Sequence, residues 1–292
     1  MNLETNKNGF AVIDKQAGWT SHDVVAKARG IFGTKKVGHS GTLDPPATGV
    51  LVLGIGKGTR LLRFLTDLRK EYVATMVLGA ETDTLDAEGK VTSTSDIRPT
   101  FEMLQEVSSS FVGVIKQVPP MVSAVKVDGK RLYEHARQGR EIERKPREVV
   151  VHKLSITETS ESNIFSLNIE CGSGTYVRSL VSDIAQAVGS VAHVGTLRRT
   201  AVGSFNESHA KSIDHATMIG LTEGLKDYEM IEVSDKLSDR IKVGSVIKTE
   251  ELSPVDIEGP WAIIDKQQNL LAMYEKFKSG MVKPAVVVPQ EN

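Results

Sequence analysis

Apolar and polar residues follow two different periods along this chain, and these periods predict its secondary structure. Phe10–Lys15 and Val50–Ile55 are short apolar runs typical of buried strands, and Tyr72–Leu78 alternates as a half-buried strand does. Apolar residues at helical spacing follow Thr20 and Ser21, either of which can cap a helix. The same patterns predict further helices and then further strands: Thr59–Thr66, Pro99–Phe111 and Thr175–Val188 as helices, and Val149–Ile156, Ile164–Cys171 and Val191–Phe205 as strands.

The order of these elements predicts the fold class. Strands adjoin strands or short helices and do not repeat a β–α–β unit, which favours an α+β fold with a mixed, largely antiparallel central sheet and flanking helices. After about Asp227, glycine and proline residues separate short apolar runs that read as strands. This pattern is typical of a small β-rich domain. We therefore predict a main domain over residues 1–230 and a small C-terminal domain over residues 231–292.

Composition narrows the class of protein. The 292 residues, of which 40% are hydrophobic, can fill the cores of one large and one small domain. The single cysteine, Cys171, has no partner for an internal disulfide, and the seven histidines show no metal-ligand spacing. No apolar run approaches the roughly 20 residues that span a bilayer, and the polar start of the chain lacks the features of a signal peptide. These features predict a cytoplasmic protein without a bound metal or a membrane anchor.

The formal net charge of -1 conceals a local basic segment. Residues 126–147 contain eight Lys or Arg residues against four acidic residues, with Tyr133 and His135 between them. Cations interleaved with rings suit a nucleic-acid backbone, although a solvated helix face has the same composition. By contrast, Gly79–Gly89 carries four acids and no base, and its composition predicts a turn or an acidic rim.

Glycine motifs give no support to several common enzyme classes. Gly54–Thr59 superficially resembles a phosphate-binding loop. That loop requires a glycine five residues before Gly56, and this chain has Leu51 at that position. No G-x-G-x-x-G sequence follows a strand, and the chain has no G-x-S-x-G elbow. The sequence therefore disfavours nucleoside triphosphate binding, dehydrogenase chemistry and serine hydrolysis.

The loop Gly38–Gly49 is the strongest candidate for a functional site. It places one carboxylate, Asp44, among a histidine, hydroxyl residues, three glycines and a Pro-Pro pair, and an apolar run follows it. This composition is typical of a rigid loop that enters a buried strand. An aspartate before a proline is also a common turn opening, so the residues alone leave a purely structural role open.

Seven segments of the chain together resemble one protein family. GHSGTLDPPATGVL, which begins at Gly38, resembles the catalytic signature of the TruB-type tRNA pseudouridine synthases, which isomerise the uridine at position 55 in the TΨC loop of tRNA. The other six match the same family in order: DKQAGWTSHDVV, KEYVATMVLG, GAETDTLDAEG, VPPMVSAVKVDGKRLYEHAR, GTYVRSL and LRRTAVGSF. They cover most of residues 10–205, and the C-terminal region is similar in size and texture to the family's PUA-like domain.

The resemblance implies a fold, a reaction and a catalytic group. The fold is the pseudouridine synthase fold, and the reaction breaks the bond from uracil N1 to ribose C1′ and rejoins the base through C5, without a cofactor. Asp44 matches the family's catalytic aspartate, and Arg178 matches the arginine that pairs with it. A carboxylate can act here by covalent attack or by removing a sugar proton next to C1′, and the sequence leaves both routes open.

The same resemblance gives further residues a role. It implies that Tyr72 stacks on the flipped uracil, and that Tyr176 and Leu197 line the pocket. It also implies that His39 enters the space left as the T-loop bases are extruded. Lys15 is expected to support the pocket or to contact an RNA phosphate. Each of these residue types is also common in ordinary packing or loops, and the resemblance is what singles them out.

The basic segment resembles the family's thumb-like insertion, which grips the T-arm of tRNA. It spans about residues 118–148, and we expect several of its cations to contact RNA: Lys126, Lys130, Arg131, Arg137 and Arg140. The chain departs from the usual family pattern at four positions, none of which removes a reacting group: Gln16, Ser40, Pro46 and Val122.

Two other functions stay open at this point. One is a tRNA-folding, RNA-binding protein without catalysis, and the other is a guide-dependent pseudouridine synthase of a ribonucleoprotein. The intact set of Asp44, Tyr72 and Arg178 argues against the first, and the thumb-like insertion without long terminal extensions argues against the second. We therefore expect a stand-alone, monomeric enzyme that binds the tRNA T-arm and requires no protein partner.

Overall fold

The chain folds around two β-sheets. The computed structural model describes residues 7–123, 126–127, 129–136, 138–140, 142–252 and 258–289. Its strands are, in chain order, β1 (Gly9–Lys15), β2 (Val37–His39), β3 (Thr48–Ile55), β4 (Lys70–Leu78), β5 (Ala80–Thr82), β6 (Val91–Thr94), β7 (Gly113–Gln117), β8 (Lys126–Val127), β9 (Lys130–Arg131), β10 (Arg147–Glu158), β11 (Ile164–Cys171), β12 (Ala192–Val202), β13 (Phe205–Asn206), β14 (Met230–Glu232), β15 (Ile247–Lys248), β16 (Trp261–Ile264), β17 (Leu270–Lys276) and β18 (Met281–Val287). Its α-helices are α1 (Ser21–Ile31), α2 (Leu62–Asp67), α3 (Phe101–Ser108), α4 (Leu132–Ala136), α5 (Val177–Ala187) and α6 (Asp235–Lys242).

Among the described residues, no helix has the length and apolar character needed to cross a membrane.

The larger sheet carries the candidate site. In the described part of the chain it has nine strands, seven of which follow the order β1-β3-β12-β4-β11-β10-β7, with β2 on β3 and β13 on β12. Neighbouring strands pair antiparallel except β12 and β3, which pair parallel. The prediction of a mixed, largely antiparallel sheet with flanking helices is therefore confirmed.

Helix α1 begins where the sequence predicts it. Thr20 Oγ1 accepts a hydrogen bond from the Asp23 N–H at 3.1 Å, and the Asp23 carboxylate accepts one from the Thr20 N–H at 2.9 Å. This reciprocal cap satisfies N–H groups that have no partner within the first turn of a helix. Val24, Val25 and Ala28 then face the core at helical spacing. The cap therefore fixes the first turn of α1 against the sheet.

Helix α5 covers one face of the large sheet and carries Arg178 in its first turn. Its apolar side chains Val177, Leu180, Val181 and Ile184 are each at most 4% exposed. They belong to one core cluster with residues of β4, β11 and β12. Burying an aliphatic side chain of this size contributes roughly 1.5–3 kcal/mol relative to leaving it exposed. The helix is thus held firmly on the sheet, and the position of Arg178 with it.

One predicted helix is divided in two. The structure has a 3₁₀ segment over Gly56–Arg60 followed by α2, where the sequence pattern predicts a single helix over Thr59–Thr66. Gly56 has a φ of +58°, a conformation that glycine adopts easily and that turns the chain sharply as it leaves β3. A narrow 3₁₀ turn fits this sharp start better than an α-helical turn.

The basic segment forms an insertion between β7 and β10. The chain leaves the large sheet at Gln117 and returns to it at Arg147. Within the insertion, β8 and β9 pair as a short antiparallel ribbon, and α4 follows with Leu132 fully buried. The limits agree with the thumb-like segment described above, and its grip on RNA stays a prediction.

The smaller sheet lies in the C-terminal region. In the part that the structure describes it has five strands, in the order β14-β16-β17-β18-β15. Trp261 and Tyr274 are at most 1% exposed in its own core. A second apolar cluster joins the two sheets, because Phe10 of the large sheet belongs to it together with Leu270 and Met273 of the small one. A β-rich C-terminal unit is confirmed, whereas the boundary between residues 230 and 231 stays a prediction.

Replacing Leu270 by Ala should destabilise the protein, because this side chain is 3% exposed in the cluster that joins the two sheets. A buried Leu→Ala change leaves a cavity and lowers the free energy of unfolding by about 2–5 kcal/mol. Val243→Ala is the matched control, since Val243 is 80% exposed and its truncation should change that free energy by less than about 0.5 kcal/mol. Urea unfolding measures both, and equal effects would contradict the joined core.

Candidate active site

A cleft of about 1070 Å³ opens beside the loop that carries Asp44. Four parts of the chain form its walls: the Asp44 loop with the first turn of α1, the acidic segment Gly79–Gly89, helix α5, and the insertion between β7 and β10. This volume is slightly above the range of small-molecule sites, which is about 300–1,000 Å³. The cleft is therefore large enough for a ligand of at least drug size.

The loop that carries Asp44 is clamped on both sides of the carboxylate. The Leu43 N–H donates to Ser21 Oγ at 2.9 Å, and the Ser21 hydroxyl donates back to the Leu43 carbonyl at 3.2 Å. On the other side, the Gly18 N–H donates to the Pro45 carbonyl at 2.9 Å. Ser21 is buried, so its hydrogen bonds are shielded from water. These contacts hold the backbone of Asp44 in one position.

Lys15 supports the same loop from inside the protein. It is 1% exposed, and its ammonium donates hydrogen bonds to the carbonyls of Gln16 (3.0 Å), Trp19 (2.6 Å) and Pro45 (3.1 Å). Burial lowers the pKa of Lys15 to about 8, against the attraction of Asp44, which raises it. All three N–H groups are thus used within the protein. This geometry fits support of the pocket as the role of Lys15, and a contact of Lys15 with an RNA phosphate stays a prediction.

An ion pair joins Asp44 to Arg178 at the wall of the cleft. Arg178 Nη2 lies 2.9 Å from Asp44 Oδ2, and the side chain of Arg178 is 4% exposed while that of Asp44 is 34% exposed. Arg178 Nη2 also donates to the Val122 carbonyl and Nη1 to the Thr84 carbonyl, both at 2.7 Å. The structure thus brings together the two residues that the resemblance pairs.

Opposing effects set the charge of Asp44. Burial raises the pKa of its carboxyl above the ordinary value, the Arg178 guanidinium lowers it, and the nearby Asp86 carboxylate raises it. A cation at hydrogen-bond distance offsets part of the cost of a poorly hydrated carboxylate. Asp44 is therefore a carboxylate with little water around it, open to the cleft on one side. Such a group is suited to act as a nucleophile or a base.

Asp86 is a third member of the site that the sequence analysis did not single out. Its carboxylate lies 3.3 Å from Arg178 Nη1 and is 13% exposed. The Thr84 hydroxyl donates to it at 2.6 Å and the Glu88 N–H at 3.2 Å, which fixes its orientation. The signal was present, because Asp86 lies in GAETDTLDAEG, one of the segments that match the family. Within the described residues, no group of three or more His, Cys, Asp or Glu side chains is arranged to hold a metal ion.

Tyr72 and Leu197 lie on the neighbouring strands β4 and β12. Both pack between two core clusters of the large sheet, and Leu197 also lines a small pocket beside Asp44 and Arg178. Burial raises the pKa of the Tyr72 hydroxyl, the adjacent Arg199 guanidinium lowers it, and Asp44 is close enough to raise it further. Both predicted pocket residues are therefore in the neighbourhood of Asp44.

Tyr176 immediately precedes α5, and the side chain of Gln117 fixes its backbone. The Tyr176 N–H donates to Gln117 Oε1 at 2.7 Å, and Gln117 Nε2 donates to the Tyr176 carbonyl at 3.0 Å. Gln117 is 1% exposed, so both hydrogen bonds are protected from water. Burial also raises the pKa of the Tyr176 hydroxyl. The ring of Tyr176 is thus held next to the start of the helix that carries Arg178.

His39 ends strand β2, and its ring contacts His22 edge-on. The ring centroids are 5.5 Å apart and the planes meet at 82°. His22, in the first turn of α1, is exposed and lines the cleft, whereas His39 lies behind it and is partly buried. The sequence analysis named His39 and did not name His22, which is the ring that faces the cleft.

The predicted RNA-binding cations of the insertion have different placements. Arg140 is exposed and lines the cleft, and Arg144 lines it as well. The structure describes three others by their backbone alone, on β8 and β9: Lys126, Lys130 and Arg131. Arg137 lies outside the described residues. Arg140 is therefore the predicted contact whose position in the cleft can be stated.

Comparison with known sequences finds relatives along almost the whole chain. Residues 29–177 match the model of the TruB family pseudouridylate synthase N-terminal domain, and residues 178–230 match that of the tRNA pseudouridylate synthase B C-terminal domain. The tRNA pseudouridine synthase B of Oceanobacillus iheyensis is 38% identical over 98% of this chain and 99% of its own length. That of Thermobifida fusca is 40% identical over 96% of this chain and 98% of its own length.

Solved structures have the same fold. A chain in the crystal structure of a Cbf5-Nop10-Gar1 complex matches with a TM-score of 0.75 and 25% identity, over 97% of this chain and 86% of that chain. A chain in the structure of an H/ACA RNP bound to a substrate RNA containing 2′-deoxyuridine matches with a TM-score of 0.71 and 23% identity, over 96% of this chain and 84% of that chain. The second likeness concerns the fold alone.

Fold and sequence matches together define the class: the protein is a pseudouridine synthase, an isomerase that converts uridine to pseudouridine. The chain belongs to the TruB family of pseudouridylate synthases, a family that acts on tRNA. The expected class of enzyme is therefore confirmed, and the coarse substrate class with it.

The raised pKa of Asp44 predicts how Asp44→Asn changes stability. The folded protein binds a proton at Asp44 more tightly than the unfolded chain does, so stability is lost as the pH rises through the raised pKa. We expect Asp44→Asn to be at least as stable as wild type at mildly alkaline pH, with a difference that narrows as the pH falls toward the ordinary carboxyl range. Urea unfolding across this pH range measures the difference.

Asp214→Asn is the control for this comparison, since Asp214 is 64% exposed and its replacement should change the free energy of unfolding by less than about 0.5 kcal/mol. An Asp44→Asn protein that is less stable than wild type at every pH would show that attraction to Arg178, and not burial, dominates the charge of Asp44.

Proposed function

We propose that this enzyme isomerises uridine 55 in the TΨC loop of tRNA, with Asp44 as its catalytic carboxylate. The observation that carries the proposal is the ion pair between Asp44 and Arg178, 2.9 Å long, at the wall of the large cleft. The segment around Asp44 also resembles the catalytic signature of the family to which the chain belongs. A partly exposed carboxylate against a buried arginine is the arrangement that this chemistry requires.

The reaction needs a group that acts on the ribose. The bond between uracil N1 and C1′ breaks with its electron pair on the uracil, the base turns, and C5 bonds to C1′ while the C5 hydrogen leaves as a proton. Asp44 assists either by bonding to C1′ and later leaving, or by taking a proton next to C1′ and returning it. Both routes use an ionised carboxylate with little water around it. Burial raises the pKa of Asp44, and the Arg178 guanidinium opposes that rise and so favours the ionised form.

The free uracil must be held while it turns, and we assign this role to Tyr72, Tyr176 and Leu197. Stacking of a base on an aromatic ring contributes about 1–3 kcal/mol and does not depend on its hydrogen-bonding edge. Tyr72 is close enough to Asp44 for their charges to interact, and Leu197 lines the small pocket beside the ion pair. An aromatic face with an apolar wall lets the base rotate without breaking specific hydrogen bonds.

The target uridine belongs to a folded RNA loop, so the enzyme must extrude it. Unstacking costs a few kcal/mol, which contacts elsewhere must offset. Arg140 lines the cleft and belongs to the basic insertion, whose other cations we expect to hold phosphates of the T-arm. His39, with His22 in front of it, is proposed to support the space that the extruded bases leave.

Arg178 connects the insertion to the catalytic carboxylate. The same Nη2 atom that lies 2.9 Å from Asp44 donates to the Val122 carbonyl at 2.7 Å. The Ser179 hydroxyl donates to the Val118 carbonyl at 2.9 Å, a second link to the same segment. The position of the insertion is therefore coupled, through these contacts, to the guanidinium that pairs with Asp44.

We also propose that the enzyme works in the cytoplasm as a monomer, without a guide RNA or a protein partner. Relatives named tRNA pseudouridine synthase B are 36–40% identical over nearly the whole chain, while chains from the multiprotein complexes are 22–25% identical. Purified protein should form pseudouridine in unmodified tRNA and in a T-arm hairpin. Activity that appears only after a cell extract is added would contradict the proposal.

Asp44→Asn should abolish pseudouridine formation while tRNA binding stays largely intact. The amide keeps the size of the side chain but can act neither as the nucleophile nor as the base, so we expect kcat/KM to fall by at least about 1,000-fold. Uridine labelled with tritium at C5 gives the rate, because the label leaves when C5 joins C1′, and filter binding gives Kd. Asp214→Asn should behave as wild type, and product formation by Asp44→Asn would exclude the mechanism.

Arg140→Ala should reduce the salt dependence of tRNA binding. A side chain that contacts a phosphate releases a counterion, so its loss should shallow the slope of log K against log salt by about 0.7–1. Lys153→Ala is the matched control, because Lys153 is 80% exposed on the large sheet and pairs with Glu170. An unchanged slope for Arg140→Ala would show that Arg140 does not contact the RNA backbone.

A further inference from the structure

A second buried arginine, Arg199, lies beside the site and has no part in the mechanism above. Strand β12 carries two successive arginines with opposite environments. Arg198 is 37% exposed and pairs with Asp14 and Glu207, whereas Arg199 is 2% exposed. A guanidinium does not lose its proton in a protein, so Arg199 is a permanent buried cation. Such a charge costs several kcal/mol of desolvation unless its donors are satisfied.

Arg199 satisfies its donors on backbone carbonyls at both ends of the catalytic loop. Nη2 donates to the Gly41 carbonyl at 3.1 Å, and Nε donates to the Val50 carbonyl at 2.7 Å. Gly41 precedes Asp44 in the loop, and Val50 follows it in β3. One planar guanidinium therefore holds the chain before and after the carboxylate at a fixed separation.

The same guanidinium lies beside Tyr72. Tyr72 and Arg199 are partners in the antiparallel pairing of β4 with β12. Directly opposed residues of an antiparallel pair project from the same face of the sheet, so the two side chains are neighbours. Burial raises the pKa of the Tyr72 hydroxyl, and the Arg199 guanidinium opposes that rise. The ring proposed to stack on uracil and the loop that carries the carboxylate thus share one rigid support.

We propose that Arg199 is a positioning residue of the uridine isomerisation, which fixes the Tyr72 ring relative to the Asp44 loop. The inference rests on the proposed roles of Asp44 and Tyr72. The reacting sugar and base lie between these two groups, so the separation of the groups decides whether the reacting atoms meet in a productive geometry. Arg199 itself touches no reacting atom and acts through Tyr72 and through the loop.

Other ionisable groups surround this pair and affect any titration of Tyr72. Asp44 and Cys171 face Tyr72, and Lys15 and Lys70 are close to Arg199. Burial, together with Arg199, lowers the pKa of both lysines to about 8. Removing the guanidinium therefore raises the pKa of Tyr72 and of both lysines. The signal of Tyr72 must be isolated by subtracting the titration of a matched protein in which Tyr72 is replaced by Phe.

Three variants test the proposal. Arg199→Met removes the charge and the hydrogen bonds, Arg199→Lys keeps the charge without the planar fork, and Arg198→Met is the matched control on the same strand. Single-turnover release of tritium from C5-labelled tRNA gives the rate, filter binding gives Kd, and urea unfolding gives stability. We expect the rate to fall about 100-fold in Arg199→Met and about 10-fold in Arg199→Lys, because small misplacements of reacting groups have effects of this size.

Binding and control measurements separate positioning from a general loss of structure. Kd should stay within about threefold of wild type in both Arg199 variants, since the phosphate contacts lie elsewhere. Arg198→Met should keep the wild-type rate. Ultraviolet titration should show a higher Tyr72 pKa in Arg199→Met than in wild type. The rate loss caused by Arg199→Lys should also be smaller in a Tyr72→Phe background, because part of the effect passes through the hydroxyl.

Three results would overturn the proposal: a wild-type rate in Arg199→Lys, equal rate losses in Arg199→Lys and Arg198→Met, or full additivity of Arg199→Lys with Tyr72→Phe. If Arg199→Met fails to fold, the rate and binding measurements on Arg199→Lys still test the proposal. Wild-type protein that releases no tritium would overturn the proposed function and this inference together, whereas active wild type with unaffected Arg199 variants would overturn this inference alone.

Discussion

The buried guanidinium of Arg178 is the interaction on which the rest of the site depends. It is 4% exposed and meets the carboxylates of Asp44 and Asp86 as well as the carbonyls of Thr84 and Val122. A buried guanidinium is costly unless its donors are satisfied, and these two carboxylates and two carbonyls satisfy them. Its partners come from a loop, an acidic segment and the base of an insertion. The guanidinium that pairs with the proposed catalytic carboxylate therefore also links the walls of the cleft.

The large sheet brings these distant segments together. Antiparallel pairing of β4 with β12 places Tyr72 and Leu197 on adjacent strands, and the single parallel pairing of β12 with β3 brings Arg199 opposite Gly49, at the end of the catalytic loop. The close approach admits no side chain there: a Cβ on Gly49 would lie 2.2 Å from the Arg199 carbonyl oxygen, and its φ is +100°. Glycine at this position is thus required by two independent constraints, conformation and space.

Local sequence patterns predicted most of the longer elements but not the contacts between them. The cap at Thr20 and the apolar face of α5 depend on neighbours within one or two turns, so the sequence predicts both. Asp86 was missed because its partner, Arg178, is 92 residues away along the chain, and no local pattern records that pairing. For Lys15 the sequence left two roles open, support of the pocket and contact with an RNA phosphate. Its burial depends on carbonyls such as that of Pro45, which lies 30 residues away.

The buried cations around the site oppose the effect that an RNA backbone would have on the pKa of Asp44. An RNA backbone brings negative charge to the cleft, and negative charge raises the pKa of a nearby carboxylate. Burial already raises the pKa of Asp44, and bound phosphates would raise it further, toward the protonated form that the proposed mechanism does not use. Arg178 and Lys15 both lower that pKa and are held too deeply for the RNA phosphates to neutralise them. Since the pKa of Lys15 is about 8, this lysine keeps most of its charge at neutral pH. The cations thus oppose protonation of the proposed catalytic carboxylate when a polyanion binds beside it, and the desolvation of these charges is a stability cost of that arrangement.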